Sequence, residues 1–147
     1  MSSDDVVRVE RRVDAPPAVV FSYLTSSERW SLWQGVATTI DPRPGGAYEM
    51  IAPNGGRALG EILEIVENEL VSFTWGWEGH PTVPPGSTTV TIELRDEEGR
   101  TLVVLTHRGL PRDEMGLHHL GWGHYVTRLT GISEGLDVGE DTGLDSA

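Results

Sequence analysis

The chain has 147 residues, no cysteine and no lysine, and its 23 acidic against 11 basic side chains give a formal net charge of −12. That length suits one domain, which at this size buries roughly 70% of the surface its unfolded chain would expose. The missing cysteine excludes disulfides, thiolate catalysis and cysteine-ligated zinc or iron–sulfur centres, the missing lysine excludes Schiff-base chemistry, and the negative field repels phosphate backbones, so no nucleic-acid partner is expected.

No apolar run approaches the ~20 residues of a membrane span, so no membrane partner is expected. The acidic start, Met1 to Asp5, has neither the basic flank nor the apolar stretch of a secretion signal, and a cytoplasmic protein is expected. In Val7 to Val13, valines 7, 9 and 13 alternate with charges, the period of a half-buried strand, with Arg11 out of place on the apolar side. Asp14 is a candidate N-cap and Pro16-Pro17 a first helical turn, opening a short helix through Val19, Val20, Phe21 and Leu24. Ser26-Ser27-Glu28 is a second start signal, leading into a brief helix or turn with Trp30, Leu32 and Trp33.

From Val36 the pattern changes to strands broken by turn residues. The breaks fall at Asp41 to Gly46, Pro53 to Gly56 and Glu67 to Glu69, bounding strands at Ala47 to Ile51, Ala58 to Val66 and Leu70 to Trp77. A Pro/Gly-rich loop from Gly79 to Gly86 precedes the longest hairpin, Thr88 to Leu94 and Thr101 to Arg108. After Gly109-Leu110-Pro111 the period becomes helical: His118, Trp122, Tyr125, Leu129 and Ile132 recur at spacings of 4, 3, 4 and 3 on one face, predicting a helix over about 113–133. Residues 1–133 therefore read as one α+β domain. The tail, 134–147, carries five acids, three glycines and no base, and is expected to be mostly disordered.

This order of elements, a strand, two short helices, a meander of six strands and a long terminal helix, resembles the helix-grip fold (START/SRPBCC, Bet v 1-like), in which a curved antiparallel sheet wraps a C-terminal helix. The segments DPRPGG from Asp41, LVSFTW from Leu70, TLVVLTHRGLP from Thr101 and HHLGW from His118 resemble the branch related to the Hsp90 ATPase activator, the likeness running from about Val6 to Ile132. The resemblance implies a ligand cavity between sheet and final helix. It implies no single activity, because the superfamily includes lipid and hormone binders, polyketide cyclases and aromatases, and co-chaperone domains. The eukaryotic activators carry a separate N-terminal client-binding domain, whereas the helix-grip unit is expected to fill this chain.

Seven aromatics fall on elements expected to face that gap: Trp30, Trp33, Tyr48, Trp75, Trp77, Trp122 and Tyr125. Such side chains suit an apolar site with a few orienting hydrogen bonds, and equally suit ordinary core packing. His118 shares the face of Trp122 one turn after Glu114, a spacing that allows a Glu–His contact able to orient an imidazole. His107, at the end of a strand facing the helix, is a second polar candidate. Both also read as histidines satisfied within a core. Arg11 and Glu61 are charges within apolar strands that can pair if both point inward. Gly121 is expected to let the helix approach the sheet.

No His-Glu-x-x-His, nucleophile elbow, dinucleotide fingerprint or phosphate loop occurs, so neither metal nor cofactor is expected. The leading expectation is therefore a cavity for a small apolar or amphipathic molecule, lined by the seven aromatics with His107 and His118. The alternatives are a cyclase- or aromatase-like enzyme, and a chaperone regulator whose acidic surface meets a basic partner. A homodimer is left open under each.

Overall fold

The structure is a computed structural model that describes residues 6–143. A single sheet of seven antiparallel strands runs in the order β1-β7-β6-β5-β4-β3-β2. Its strands are β1 (Val6–Val13), β2 (Ala37–Ile40), β3 (Ala47–Ile51), β4 (Arg57–Val66), β5 (Leu70–Trp75), β6 (Thr88–Glu97) and β7 (Arg100–Arg108). Strands β2 to β7 form a simple meander, and β1 closes it by pairing along the whole of β7, from Val6 opposite Arg108 to Val13 opposite Thr101. Helices α1 (Pro17–Ser22) and α2 (Ser27–Trp30) bridge β1 to β2, and α3 (Arg112–Ser133) lies in the concave face of the sheet. At 1.5 Å per residue its 22 residues span about 33 Å, long enough to cross the domain. This is the helix-grip architecture. No helix of the described residues is long and apolar enough to cross a membrane.

The alternation in β1 is realised as read: Val7, Val9 and Val13 are buried, while Arg8, Glu10 and Arg12 face solvent. Arg11 lies half-buried on the inner face, its Nη1 donating to the Glu10 carbonyl at 2.8 Å. It does not meet Glu61, which is exposed on β4. A register shift between Ile62 and Glu64 marks a bulge in β4, where two residues must share one partner position and the strand bends.

Local signals at the helix starts divide. Ser26 caps α2 by accepting from the Arg29 N–H at 3.3 Å, whereas α1 begins after Pro16 with no side-chain cap. Asp14 instead donates its own backbone N–H to Glu134, at the far end of α3. As far as residue 143 the segment after α3 makes contacts with the rest of the domain. Arg128 donates to the carbonyls of Trp33 and Val138 at 3.0 and 2.9 Å and to those of Leu32 and Gly139 at 3.2 and 2.9 Å, holding the tail against the turn after α2. A guanidinium has five donors in a rigid fork and can satisfy several carbonyls at once. Composition predicted a solvated tail because it does not register such long-range pairing. The last four residues, 144–147, lie outside the described residues, as do Met1 to Asp5.

Two of the glycines allow the closest backbone approaches. A Cβ at Gly60 would stand 1.7 Å from the Thr74 carbonyl oxygen, and one at Gly76 would stand 1.7 Å from that of Pro84. The second contact seats the Gly79 to Gly86 loop against the end of β5, where the Trp77 N–H also donates to the Val83 carbonyl at 2.7 Å. We predict that Gly76→Ala destabilises the fold by about 1–3 kcal/mol through overpacking, seen as a lower urea midpoint. An unchanged midpoint would show that the loop can move away at no cost.

Candidate functional site

Space between sheet and helix is filled at one end and open at the other. The filled end holds Trp30, Trp33, Tyr48 and Phe73, each at most 1% exposed. Trp30 and Trp33 stack at 5.0 Å between centroids, and Tyr48 lies 4.5 Å from Phe73. At the open end a cleft of about 860 Å³ separates α3 from the sheet. Trp75 and Gln34 contribute to its floor and Met50 and Ala52 to its sheet side; Leu117, His118, Gly121, Trp122 and Tyr125 supply the helix wall, and Trp77 with His80 the rim.

Of the nine residues the sequence nominated, the structure brings Trp75, Trp77, His118, Trp122 and Tyr125 to this cleft. Trp30, Trp33 and Tyr48 are core instead, and His107 stands behind the cleft. The physical reason is that the turn following α2 drops both its tryptophans onto the sheet. There Trp33 Nε1 donates to the Tyr23 carbonyl at 3.0 Å, while Trp30 Nε1 and the Tyr48 hydroxyl both donate to Gln34 Oε1 at 2.7 Å.

The open end carries aromatic rings in crossed orientations. Trp75 lies 5.0 Å from Trp122 and 5.3 Å from Trp77, the latter pair at 83°. The edge-to-face Trp75–Trp77 pair has the favoured aromatic geometry.

Each of the two nominated histidines has both nitrogens committed. Trp122 Nε1 donates to His107 Nδ1 at 2.9 Å, so the neutral ring carries its proton on Nε2 and donates it to Thr88 Oγ1 at 2.8 Å. Thr88 in turn donates to the Trp75 carbonyl at 2.7 Å. Burial, with a smaller contribution from neighbouring His118, pushes His107 down to about 3. His118 accepts from Trp77 Nε1 at 3.0 Å and donates from Nδ1 to the Glu114 carbonyl at 2.8 Å. Its expected contact with the Glu114 carboxylate is present at 3.7 Å, yet burial outweighs that attraction and holds the imidazole below its usual value.

Several site residues escaped the sequence reading. His80 accepts the N–H groups of Thr82 and Val83 on Nδ1 and points Nε2 at Glu114, 3.4 Å away, linking the rim loop to α3. Asp141, in the tail, is buried and accepts from the Gly35 N–H at 2.9 Å and from His124 Nε2 at 3.0 Å. Burial acts to raise its carboxyl, but hydrogen bonds from His124, Tyr125, Gly143 and Gly35 outweigh it and hold Asp141 below the usual range. Tyr125, half-buried, is shifted upward by its burial and then by its hydrogen bond to that carboxylate. Gly121 is not a close-approach glycine: a Cβ there would meet nothing within 4 Å, and the position borders the cleft. Gln34 did carry a faint signal, one helical turn after Trp30. Nothing marked Asp141.

A second depression, of about 550 Å³, is walled by charges that pair among themselves, Arg12 with Glu97 and Arg100 with Asp14, both at 3.3 Å. Among the described residues no group of three or more histidines and carboxylates is placed to hold a metal ion.

Comparison with known proteins agrees with this architecture. Residues 14–134 match the family described as Activator of Hsp90 ATPase homolog 1-like protein. The chain belongs to this family. It is 24% identical over 127 residues to the human Activator of 90 kDa heat shock protein ATPase homolog 1, a match covering 84% of this chain and 34% of the human protein. The chain thus spans about a third of the length of the curated relatives it matches. Among solved structures, an AHSA1-like protein from Rhizobium etli is 39% identical with a TM-score of 0.70, covering 92% of this chain and 86% of that one. A protein from Mesorhizobium loti superposes with a TM-score of 0.80 at 23% identity, covering 90% and 99% of the two chains, a likeness of fold alone.

The buried histidines make stability depend on pH. With the folded value of His107 at about 3 against an ordinary 6.5, the unfolded chain takes up the proton first as pH falls. Stability is therefore held in full above about pH 6.5 and lost progressively down to about 3, at about 1.4 kcal/mol per pH unit. Urea unfolding across that window should show a steeper decline for the wild type than for His107→Gln. Parallel slopes would mean that His107 takes up its proton in the folded state.

Proposed function

We propose that this protein binds a small, largely apolar molecule in the cleft between the sheet and α3. The observation that supports this is an opening of about 860 Å³, walled by Trp75, Trp77, Trp122 and Tyr125, in a fold whose other end is packed solid. Its size is that of pockets which enclose metabolite- or drug-sized ligands, and its make-up, aromatic walls with a few polar groups, is typical of them.

The cyclase-like alternative needs proton-handling groups that converge on one point of the cleft. His118 and Tyr125 do line it, but the imidazole nitrogens are both bonded and the phenol faces Asp141. Binding is the reading this arrangement favours. The family match supports a second one, regulation of a chaperone ATPase, since the human relative is named as an activator of such an enzyme and shares 24% identity over 127 residues. Added to an Hsp90-type ATPase, the purified chain should then raise its turnover, and unchanged turnover would sink that second reading.

Gly121 gives a direct test of the cleft. Gly121→Trp puts an indole into open space from a helical position where glycine is itself unfavourable, so the fold should keep or gain thermal stability. We predict that the wild type binds the neutral fluorescent probe N-phenyl-1-naphthylamine saturably and that Gly121→Trp binds it at least about tenfold more weakly, a loss of about 1.4 kcal/mol. Equal affinity in the two proteins would overturn the assignment of the cleft as the binding site. Native mass spectrometry of the purified chain should also show a defined non-covalent adduct that the variant lacks.

A further inference from the structure

The chain that follows α3 returns to the cleft. Gly135, with φ +89, reverses its direction, and Leu136 donates its N–H to the Gly131 carbonyl at 2.9 Å. The contacts after that step back along the helix: the Val138 and Gly139 carbonyls meet Arg128, Asp141 meets His124, and Thr142 and Gly143 line the cleft itself. The same segment reaches the sheet side of the domain. Asp141 Oδ2 accepts from the Gly35 N–H at 2.9 Å, just before β2, and a Cβ at Gly143 would stand 3.9 Å from Pro53 Cβ, in the turn between β3 and β4. Residues 134–143 thus join α3 to the sheet side at a border of the cleft.

Few ties hold this segment. Leu136 is 61% exposed, and of residues 134–143 only Asp141 is buried. Its acidic residues, Glu134, Asp137, Glu140 and Asp141, belong to a chain of net charge −12, so bulk charge does not favour its docking. The Arg128 guanidinium and the Asp141 carboxylate are its main anchors. A segment with little buried apolar surface and few tertiary ties opens at far less cost than global unfolding, so it can leave while the sheet and α3 stay folded. A molecule in the cleft meets Thr142 and Gly143 only while they are docked, which gives it a differential affinity for the docked state. We propose that residues 134–143 are a releasable strap, docked through Asp141, whose docking and the cleft's hold on its occupant reinforce each other. This rests on the cleft being a binding site and adds how its hold is regulated.

Asp141→Asn tests it with little change of shape. His124 and Gly143 donate to one carboxylate oxygen and Gly35 to the other, so an amide NH2 faces a donor whichever way it turns. On the full chain, N-phenyl-1-naphthylamine should leave this variant at least about tenfold faster than the wild type in stopped-flow dissociation. A glutamate-specific protease, followed by mass spectrometry, should cut after Glu140 only from the detached strap. By reciprocity, saturating probe should slow that cut in the wild type by at least the factor by which Asp141→Asn weakens binding. Because the chain has no cysteine, Pro53→Cys with Gly143→Cys adds a single disulfide, the 3.9 Å separation lying within the range such a bond spans. Oxidised in the Asp141→Asn background, that bond should restore slow dissociation, and reduction should abolish it again; a cleft damaged in some other way would not recover. If the wild type binds the probe but Asp141→Asn releases it at the same rate, if the probe does not protect Glu140, or if the cysteine pair fails to oxidise or to rescue, the strap proposal falls and the cleft reading stands. If the wild type does not bind the probe, the cleft reading falls and the strap with it.

Discussion

Wide, amphipathic aromatic rings have to be buried in a domain of this size, and each indole or phenol brings a polar tip that must find a partner in the dark of the core. That requirement organises the interior. Gln34 exists at the junction of α2 and the sheet as the common acceptor for Trp30 and Tyr48. His107 serves Trp122 from the middle of β7 and passes a second bond through Thr88 to the backbone of β5, so one imidazole connects helix, strand and neighbouring strand. His118 does the same for Trp77 from the helix side. Because each histidine must stay neutral to accept, burial and function as an acceptor act together, and the chain's two most buried imidazoles are structural ties before they are anything else.

Period and punctuation carried most of the architecture. The alternation of Val7, Val9 and Val13, the turn residues between Asp41 and Gly99, and the face running from His118 to Ile132 are local patterns, and local patterns are what a strand or an amphipathic helix consists of. They located the seven strands and α3 to within a few residues. Which aromatic faces which neighbour is a different matter. It depends on how the turn after α2 folds over the sheet and on where along α3 the sheet closes, and neither is a property of any short window. Trp30 and Trp33 look no different from Trp75 and Trp77 in sequence, yet the first pair is sealed and the second borders the cleft.

The tail shows the same limit from the other side. Its composition is that of a solvated segment, and the contacts it makes as far as residue 143 depend on distant partners: Arg128 on α3 for its carbonyls, and the Gly35 N–H, His124 and Tyr125 for Asp141. In a chain with 23 acids and 11 bases, one well-placed guanidinium and one buried carboxylate accomplish what bulk charge would oppose. Asp141 is accommodated because several donors converge on it. A buried carboxylate with fewer would be forced toward its neutral form.

The cleft itself is written in what is small. Along the helix wall Gly121 presents no side chain, and on the sheet side Ala52 and Gly56 stop short where longer residues would close the gap. Gly56 does so under some constraint, since a Cβ there would come within 3.3 Å of the Trp77 ring. Gly121 does so under none: nothing lies within 4 Å of where its Cβ would stand. A glycine inside a helix costs up to about 1 kcal/mol relative to alanine, and close packing is the usual compensation. Packing does not supply it at this position. What the absent side chain leaves is room beside Trp75 and Trp122, which makes the opening between sheet and α3 a feature the helix maintains at some expense of its own stability.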